Sequence, residues 1–308
     1  MNLQQVIEKF TKYPKYMECG AGKLSRRFGC SKEDIYKARR IVREEKNRVI
    51  QGNIKILVFD IETTPTISYT WRRFQENIGL DQVIHDPIML TWSAMWLDSD
   101  DVMSDRLTPE EVLSFNDYRI VKSLWELINE ADVVVAHYGD KFDIPMLNAR
   151  AIINDIPPFS FAESIDTKRI ASKHFKFPSN KLDALATYFG FENKIKTDFT
   201  LWRRCMEGDD DAIEEMSIYC DQDVRILKKV YLKLRPYIKS HPNVGLYVDT
   251  NKPVCSHCGS SNLTEDGSYY TRTSKFKVFR CECGALSRVR QNSFKGLKSK
   301  DLLVSNAK

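Results

Sequence analysis

Long apolar runs are missing from this 308-residue chain. No stretch of about 18 apolar residues occurs, which excludes a membrane-spanning helix. The opening, MNLQQVIEKFTKYPK, lacks the charged-then-apolar pattern of a secretion leader, so the expectation is a cytoplasmic protein. A disulfide framework is missing as well. Of eight cysteines, Cys19, Cys30, Cys205 and Cys220 are scattered, while Cys255, Cys258, Cys281 and Cys283 form two close pairs. Paired clusters in a chain without a leader read as a metal site rather than as bridges. No internal repeat or low-complexity tract appears. The composition, 42% hydrophobic and 11% aromatic, belongs to an ordinary globular protein rather than a disordered one.

The net charge of +5 hides a pattern. Residues 1–53 carry 13 Lys and Arg against 6 Asp and Glu, residues 249–308 carry 11 against 5, and the middle carries 23 against 31. Basic flanks around an acidic centre suit a polyanion held by the ends and worked on in the middle. Solvated surface charge is the plain alternative.

Residues 1–50 read as helical, with a break around Cys19–Gly22. Ser31 is placed to cap a second helix, with Asp34 at the capping-box distance. Arg39, Arg40 and Arg43 follow the acidic start of that helix, the pattern of a helix-turn-helix. A helical hairpin that only packs is the competing reading. Residues 51–53 (Gln-Gly-Asn) serve as a linker.

Residues 54–59 (IKILVF) form a near-continuous apolar, β-branched run, the signature of a strand buried on both faces. Strands are expected again at Ile88–Trp96 and Val133–His137, and a short one within 159–165. Helices are expected over 118–131, from about Ile144, over Lys181–Phe189 and from Asp209 to about Leu234. Alternating strands and helices give an α/β fold with a mixed sheet, a core of about 190 residues at 54–245.

Three acidic elements carry the chemistry. Asp60-x-Glu62 ends the first buried strand, and residues i and i+2 of a strand share a face. Asp143 follows the second buried strand in AHYGDKFDIPML. Asp223 lies in YCDQDV on a helix, with Tyr219 one turn earlier on the same face. Two carboxylates side by side repel unless a cation sits between them. Four hard oxygen donors suit Mg²⁺ or Mn²⁺ rather than zinc. Two such ions stabilise both the attacking and the leaving oxygen of a phosphodiester displacement. No Ser-His-Asp or Cys-His set is required.

FDIET, AHYGDKFDIPML and YCDQDV resemble the three exonuclease motifs of DEDD nucleases, in the form found in the proofreading domain of family B DNA polymerases. Tyr219, four residues before the last Asp, matches the tyrosine subtype; Ile218 stands where the histidine subtype carries its His. The stretch IDTKRIASKHFKFPSNKLDALATYFG is similar to phage-type RNase H-like proteins with a trailing zinc ribbon. This resemblance implies an RNase H-like mixed sheet flanked by helices. It implies that Asp60, Glu62 and Asp223 hold one metal, that Asp60 bridges to a second supported by Asp143, and that Tyr219 orients the attacking water. The implied reaction is 3′→5′ removal of 5′-nucleotides, with single-stranded DNA the leading substrate, and a replication or recombination protein as a conceivable partner. Tyr138 and Cys220 depart from the family, standing where relatives carry Asn.

Weaker candidates surround these. Asn180 and Lys181 are candidates for the phosphate backbone, although Ser179 or Asn180 capping a helix explains them equally. Asp166 and His137 read as structural. Trp202, Phe199 and Tyr69 are candidate base-stacking rings, with core packing as the alternative.

At the C-terminus, Cys255-x-x-Cys258-Gly259 and Cys281-x-Cys283-Gly284 lie 22 residues apart, around a segment that alternates like a hairpin. This is the pattern of a zinc ribbon at 250–292, with one structural Zn²⁺ on four thiolates and no open position for chemistry. Its small core implies that the metal holds it folded. Arg272, Lys275, Lys277 and Arg288, interleaved with aromatics, suit a nucleic-acid grip; a protein-docking ribbon is the alternative. Residues 293–308 read as a basic flexible tail.

Rival readings remain in the sequence. An RNA exonuclease or a structure-specific nuclease uses the same metals. A non-catalytic nucleic-acid-binding regulator has no need to hold four repelling carboxylates together. The residues outside the nuclease core are too few for a polymerase palm domain.

Overall fold

The computed structural model describes residues 1–17, 19–50, 54–74, 77–160, 163–192, 197–294 and 302–304. The expected linker at 51–53, most of the expected basic tail, and the side chains of Arg40 and Arg43 lie outside the described residues. The chain divides into two compact units, one of Met1–Asn53 with Asn243–Lys308, the other Ile54–Pro242.

The first unit opens with three helices, α1 (Leu3–Lys12), α2 (Ala21–Phe28) and α3 (Lys32–Ile50). Val6, Phe10, Leu24, Phe28, Ile35 and Ala38 close a small core between them. Asn2 and Gln5 form a capping box on α1. Gly29 ends α2 at φ 60°, a left-handed turn that glycine adopts at low cost. The Ser31 hydroxyl accepts the Asp34 N–H at 3.0 Å, and Asp34 accepts the Ser31 N–H in return, so the expected capping box is present. Arg39 turns inward rather than presenting charge outward, and its guanidinium donates to the carbonyls of Tyr16 and Cys19.

In the second unit β1 (Ile56–Thr63) is followed by a short hairpin of β2 (Ile67–Ser68) and β3 (Val83–His85), then β4 (Met89–Trp96) and β5 (Met103–Arg106). Next come α4 (Pro109–Leu113), α5 (Tyr118–Asn129), β6 (Val133–Ala136), α6 (Asp143–Ile153) and β7 (Glu163–Asp166). Helices α7 (Thr167–His174), α8 (Leu182–Phe189), α9 (Phe199–Met206) and α10 (Asp210–Leu234) complete it. The sheet order is β5–β4–β1–β6–β7. β1 runs antiparallel to β4 and parallel to β6, so the sheet is mixed, as expected.

Strand alternation sorts side chains onto two faces. Leu57, Phe59 and Ile61 enter one core with Trp92, Leu124 and Leu147. Ile56 and Val58 enter the other with Val135, Ile170 and Leu185. α10 serves both: Ala212, Ile213, Met216 and Tyr219 join the first core, and Val224, Leu227, Val230 and Tyr231 the second. Asp209 caps this 25-residue helix by accepting the Ala212 N–H.

Two helix starts bear on the cleft. The helix expected from about Ile144 is present and begins at Asp143 itself, so this carboxylate opens the helix. Neither Ser179 nor Asn180 caps α8. Lys181 holds the cap position without a side-chain bond, and the Ser179 hydroxyl accepts the Lys181 N–H instead.

In the first unit the C-terminal strands β8 (Leu263–Tyr270), β9 (Lys275–Cys281) and β10 (Leu286–Arg288) form an antiparallel sheet in the order β10–β9–β8. Among the described residues, no helix is long and apolar enough to cross a membrane.

Candidate metal centre and nucleic-acid cleft

β6 pairs with β1 only over Ile56–Val58. Beyond Val58, β1 continues with β4 as partner, opposing Asp60 to Ser93 and Glu62 to Thr91. The second face of the sheet is therefore apolar at one end and acidic at the other. A cleft of about 360 Å³ opens there, lined by Asp60, Glu62, Asp143 and Asp223 on its acidic side. Clefts at the carboxyl ends of parallel strands are where α/β sheets bind ligands.

One carboxylate oxygen each from Asp60, Glu62 and Asp223 lie within 4.8 Å of one another. Oxygens around a Mg²⁺ ion sit about 2.1 Å from it, so ligand pairs are separated by up to about 4.2 Å. The cluster thus has the donor type and spacing that a hard divalent cation requires. Asp143 lines the same cleft but is outside this group of three. It is 1% exposed and accepts the Ile61 N–H at 3.3 Å. Burial pushes its carboxyl up to about 7, with the charge of Asp166 adding to the shift.

Cys220, one turn from Asp223 toward the cap, is fully buried, and its thiol donates to the Asp60 carbonyl oxygen at 3.5 Å. Desolvation first, and the charges of Asp60 and Glu62 next, hold this thiol well above its ordinary range, so it stays a neutral donor. Tyr219 is buried against Trp202, with ring centroids 6.3 Å apart and edge to face. It does not line the cleft. The Trp202 indole N–H donates to the Thr63 carbonyl at 3.2 Å, which makes this ring a packing element rather than a base-stacking one.

The cleft lining also carries Lys168 and Lys181 with the half-exposed rings of Tyr138 (44%) and Phe142 (40%). Tyr138 has φ 75°, a left-handed conformation that a bulky residue seldom adopts. Its N–H is held by Asp166 at 3.0 Å, and the Lys168 ammonium lies 3.7 Å from its ring centroid. Asp166 is buried, caps α7 by accepting the Arg169 N–H, and is structural as expected. His137 bonds Thr167 through Nδ1 at 2.9 Å. The sequence singled out Lys181 but missed Lys168; the only signal was a Lys two residues past a strand-end Asp. Asn180 does not line the cleft.

In the C-terminal sheet the four thiols of Cys255, Cys258, Cys281 and Cys283 come within 4.8 Å of one another. Sγ–Sγ separations are 3.8 Å for Cys255–Cys283 and 3.6 Å for Cys258–Cys281, far from a disulfide. A tetrahedral Zn²⁺ site with bonds of about 2.3 Å has edges of about 3.8 Å, so the cluster fits that ion. Gly259 and Gly284 adopt φ 73° and 89°, which explains a glycine after each second cysteine. His257 bonds Ser256 through Nδ1 and is not part of the four-thiol group. Arg288 lies over Phe276 at 4.3 Å and Tyr269 at 5.6 Å, and Lys275 over Tyr270 at 5.5 Å. Lys277 instead pairs with Glu265 and Arg280 with Asp266. Arg272 sits in the turn between β8 and β9.

Residues 91–235 match the RNase_H superfamily model, and the second unit contains an RNase H-like domain. The match holds Asp143, Tyr219 and Asp223 and begins after Asp60 and Glu62. Among solved structures the chain is similar to the family B DNA polymerase of the hyperthermophilic archaeon Pyrobaculum calidifontis. Identity is 17% and the TM-score 0.46, over 60% of this chain and 25% of the polymerase. No curated protein matches.

Proposed function

We propose that the chain is a metal-dependent 3′→5′ exonuclease that releases 5′-nucleotides, with single-stranded DNA as its preferred substrate. One observation carries this reading: Asp60, Glu62 and Asp223, remote in sequence, bring their carboxylates within 4.8 Å at the rim of the sheet. These three residues would hold one Mg²⁺ or Mn²⁺, with Asp60 and Asp143 toward a second. Bound there, divalent ions lower the pKa of water and neutralise charge developing on the phosphate. The chain's own groups do the rest. Lys168 and Lys181 attract the phosphate, and Tyr138 and Phe142 flank the terminal nucleotide. Cys220 keeps the Asp60 backbone in place through its thiol. The ribbon cations Arg272, Lys275 and Arg288 hold the strand, and Zn²⁺ on the four cysteines would keep the ribbon folded.

The test is a 3′-labelled and a 5′-labelled oligonucleotide incubated with Mg²⁺ or Mn²⁺. A ladder shortening from the 3′ end supports the reading. Loss of several kcal/mol of ionic stabilisation in Asp60→Ala or Asp223→Ala corresponds to a fall of roughly 10² to 10⁴ in rate. Cutting that ignores metal removal, or that survives both substitutions, rejects it. DNA and RNA of identical sequence, compared side by side, decide the preference.

A further inference from the structure

A second cavity, of about 340 Å³, lies between β7 and α7 and contains none of the carboxylates of the metal centre. Its size is that of a small-ligand pocket. Ile165, Ile170 and Ile238, all buried, form an apolar floor. Arg169 and Lys173, one turn apart on α7, form the rim together with His174 at the helix end. Among the described residues, Lys173 and His174 make no side-chain ion pair or hydrogen bond, although the cations Arg106, Arg119, Arg150 and Arg204 of the same unit are all paired with acids. Arg169 bonds Asp140 at 2.7 Å, and Ser164 on the cavity wall donates to the same carboxylate. Asp140 belongs to the 137–142 turn that carries Tyr138 and Phe142, so this cavity adjoins the catalytic cleft through one side chain. Glu163 is the lone acid in its lining. Cations at the end of a short helix also complement its dipole, but that role needs no apolar floor beside them.

We infer that this cavity is a second nucleic-acid subsite, which takes one nucleoside monophosphate unit, free or within a strand. The phosphate sits on Lys173, His174 and Arg169, and the base lies on the isoleucine floor. The assignment stands whether or not the cleft cleaves.

The experiment titrates the full chain, without added divalent cation, with dAMP, deoxyadenosine and a ten-nucleotide DNA, followed by calorimetry. Lys173→Ala/His174→Ala, both at accessible positions, is expected to weaken phosphate-bearing ligands about tenfold. Glu163→Gln is expected to tighten them, and the weakening caused by Lys173→Ala/His174→Ala is expected to recur in protein that also carries Lys168→Ala/Lys181→Ala. A double variant that weakens both dAMP and DNA supports a site for the free nucleotide; one that weakens DNA alone supports the same site read within a strand. Wild-type affinity for both ligands in the Lys173/His174 variant overturns the inference. So does equal binding of deoxyadenosine and dAMP, or dAMP binding lost only with the cleft lysines. Activity on oligonucleotides is a separate readout, so an inactive protein that still binds dAMP in this way rejects the nuclease reading alone.

Discussion

Asp143 accepts the backbone N–H of Ile61, so the first residue of α6 is tied to the strand that carries Asp60 and Glu62. This single bond, 82 positions apart in sequence, registers the helix against the acidic end of β1. It also gives Asp143 a structural duty beside any chemical one.

Asp143→Asn preserves an acceptor for Ile61 and removes the charge. The expected result is a fold of nearly unchanged stability with DNA cleavage reduced at least 100-fold. Asp143→Ala also strands the Ile61 N–H, and a further loss of about 1–3 kcal/mol in urea denaturation is expected.

The raised carboxyl pKa of Asp143 has a sign. Its folded value, about 7, lies above the unfolded value of about 3.9, so its contribution to stability is complete below pH 4 and is lost as pH rises through 7. In metal-free protein the melting temperature should therefore fall between pH 5 and 8, and more steeply than in Asp143→Asn. Added Mn²⁺ should flatten the wild-type profile. Parallel profiles for the two proteins would contradict the assignment.

α6 is anchored at its far side by a buried pair. Asp117 accepts from Arg150 Nε at 2.7 Å and Nη2 at 2.8 Å, and also from the Met89 N–H and Asn154. Asp117→Ala leaves a guanidinium without its partner and is expected to cost about 3–5 kcal/mol. Chemical denaturation measures this, and cleavage should fall with stability because Asp143 rides on the same helix.

Tyr138→Asn keeps a residue tolerant of positive φ and removes the ring. A higher KM for ordinary 3′ ends, with kcat little changed, is the expected outcome. An oligonucleotide whose terminal nucleotide lacks its base should lose nothing. Equal KM values for the two substrates in wild-type protein would refute the stacking role.

A zinc chelator, or Cys283→Ala, should melt the C-terminal sheet while the RNase H-like unit stays folded. Metal analysis should find one zinc per chain in wild-type protein. Near-ultraviolet circular dichroism should report the loss of ordered Tyr269 and Tyr270.

The central strands were legible because burial on both faces demands unbroken β-branched runs, as in ILVF and VVVA. β5 was not, since Met-Ser-Asp-Arg joins the sheet through its backbone with half-buried side chains. α9 was missed for a similar reason: eight residues beyond the cap Asp198 are too few to show a period. The carboxylates were legible as motifs, and their convergence on one cleft brings together one strand, the start of α6 and the middle of α10, which sequence spacing alone does not align. Cys220 stood inside a motif without showing its role, and Lys168 stood in none, because a thiol bonding a backbone carbonyl and an ammonium over a ring are visible only in three dimensions.

The long helix α10 hands over from one core to the other between Tyr219 and Val224, and Asp223 stands at that junction. Evolution can therefore hardly retune the metal's surroundings from this side without disturbing the keel of the whole domain. Substitutions along that turn should register as coupled losses of folding and catalysis, whereas the lysine-bearing wall is free to drift toward new substrates.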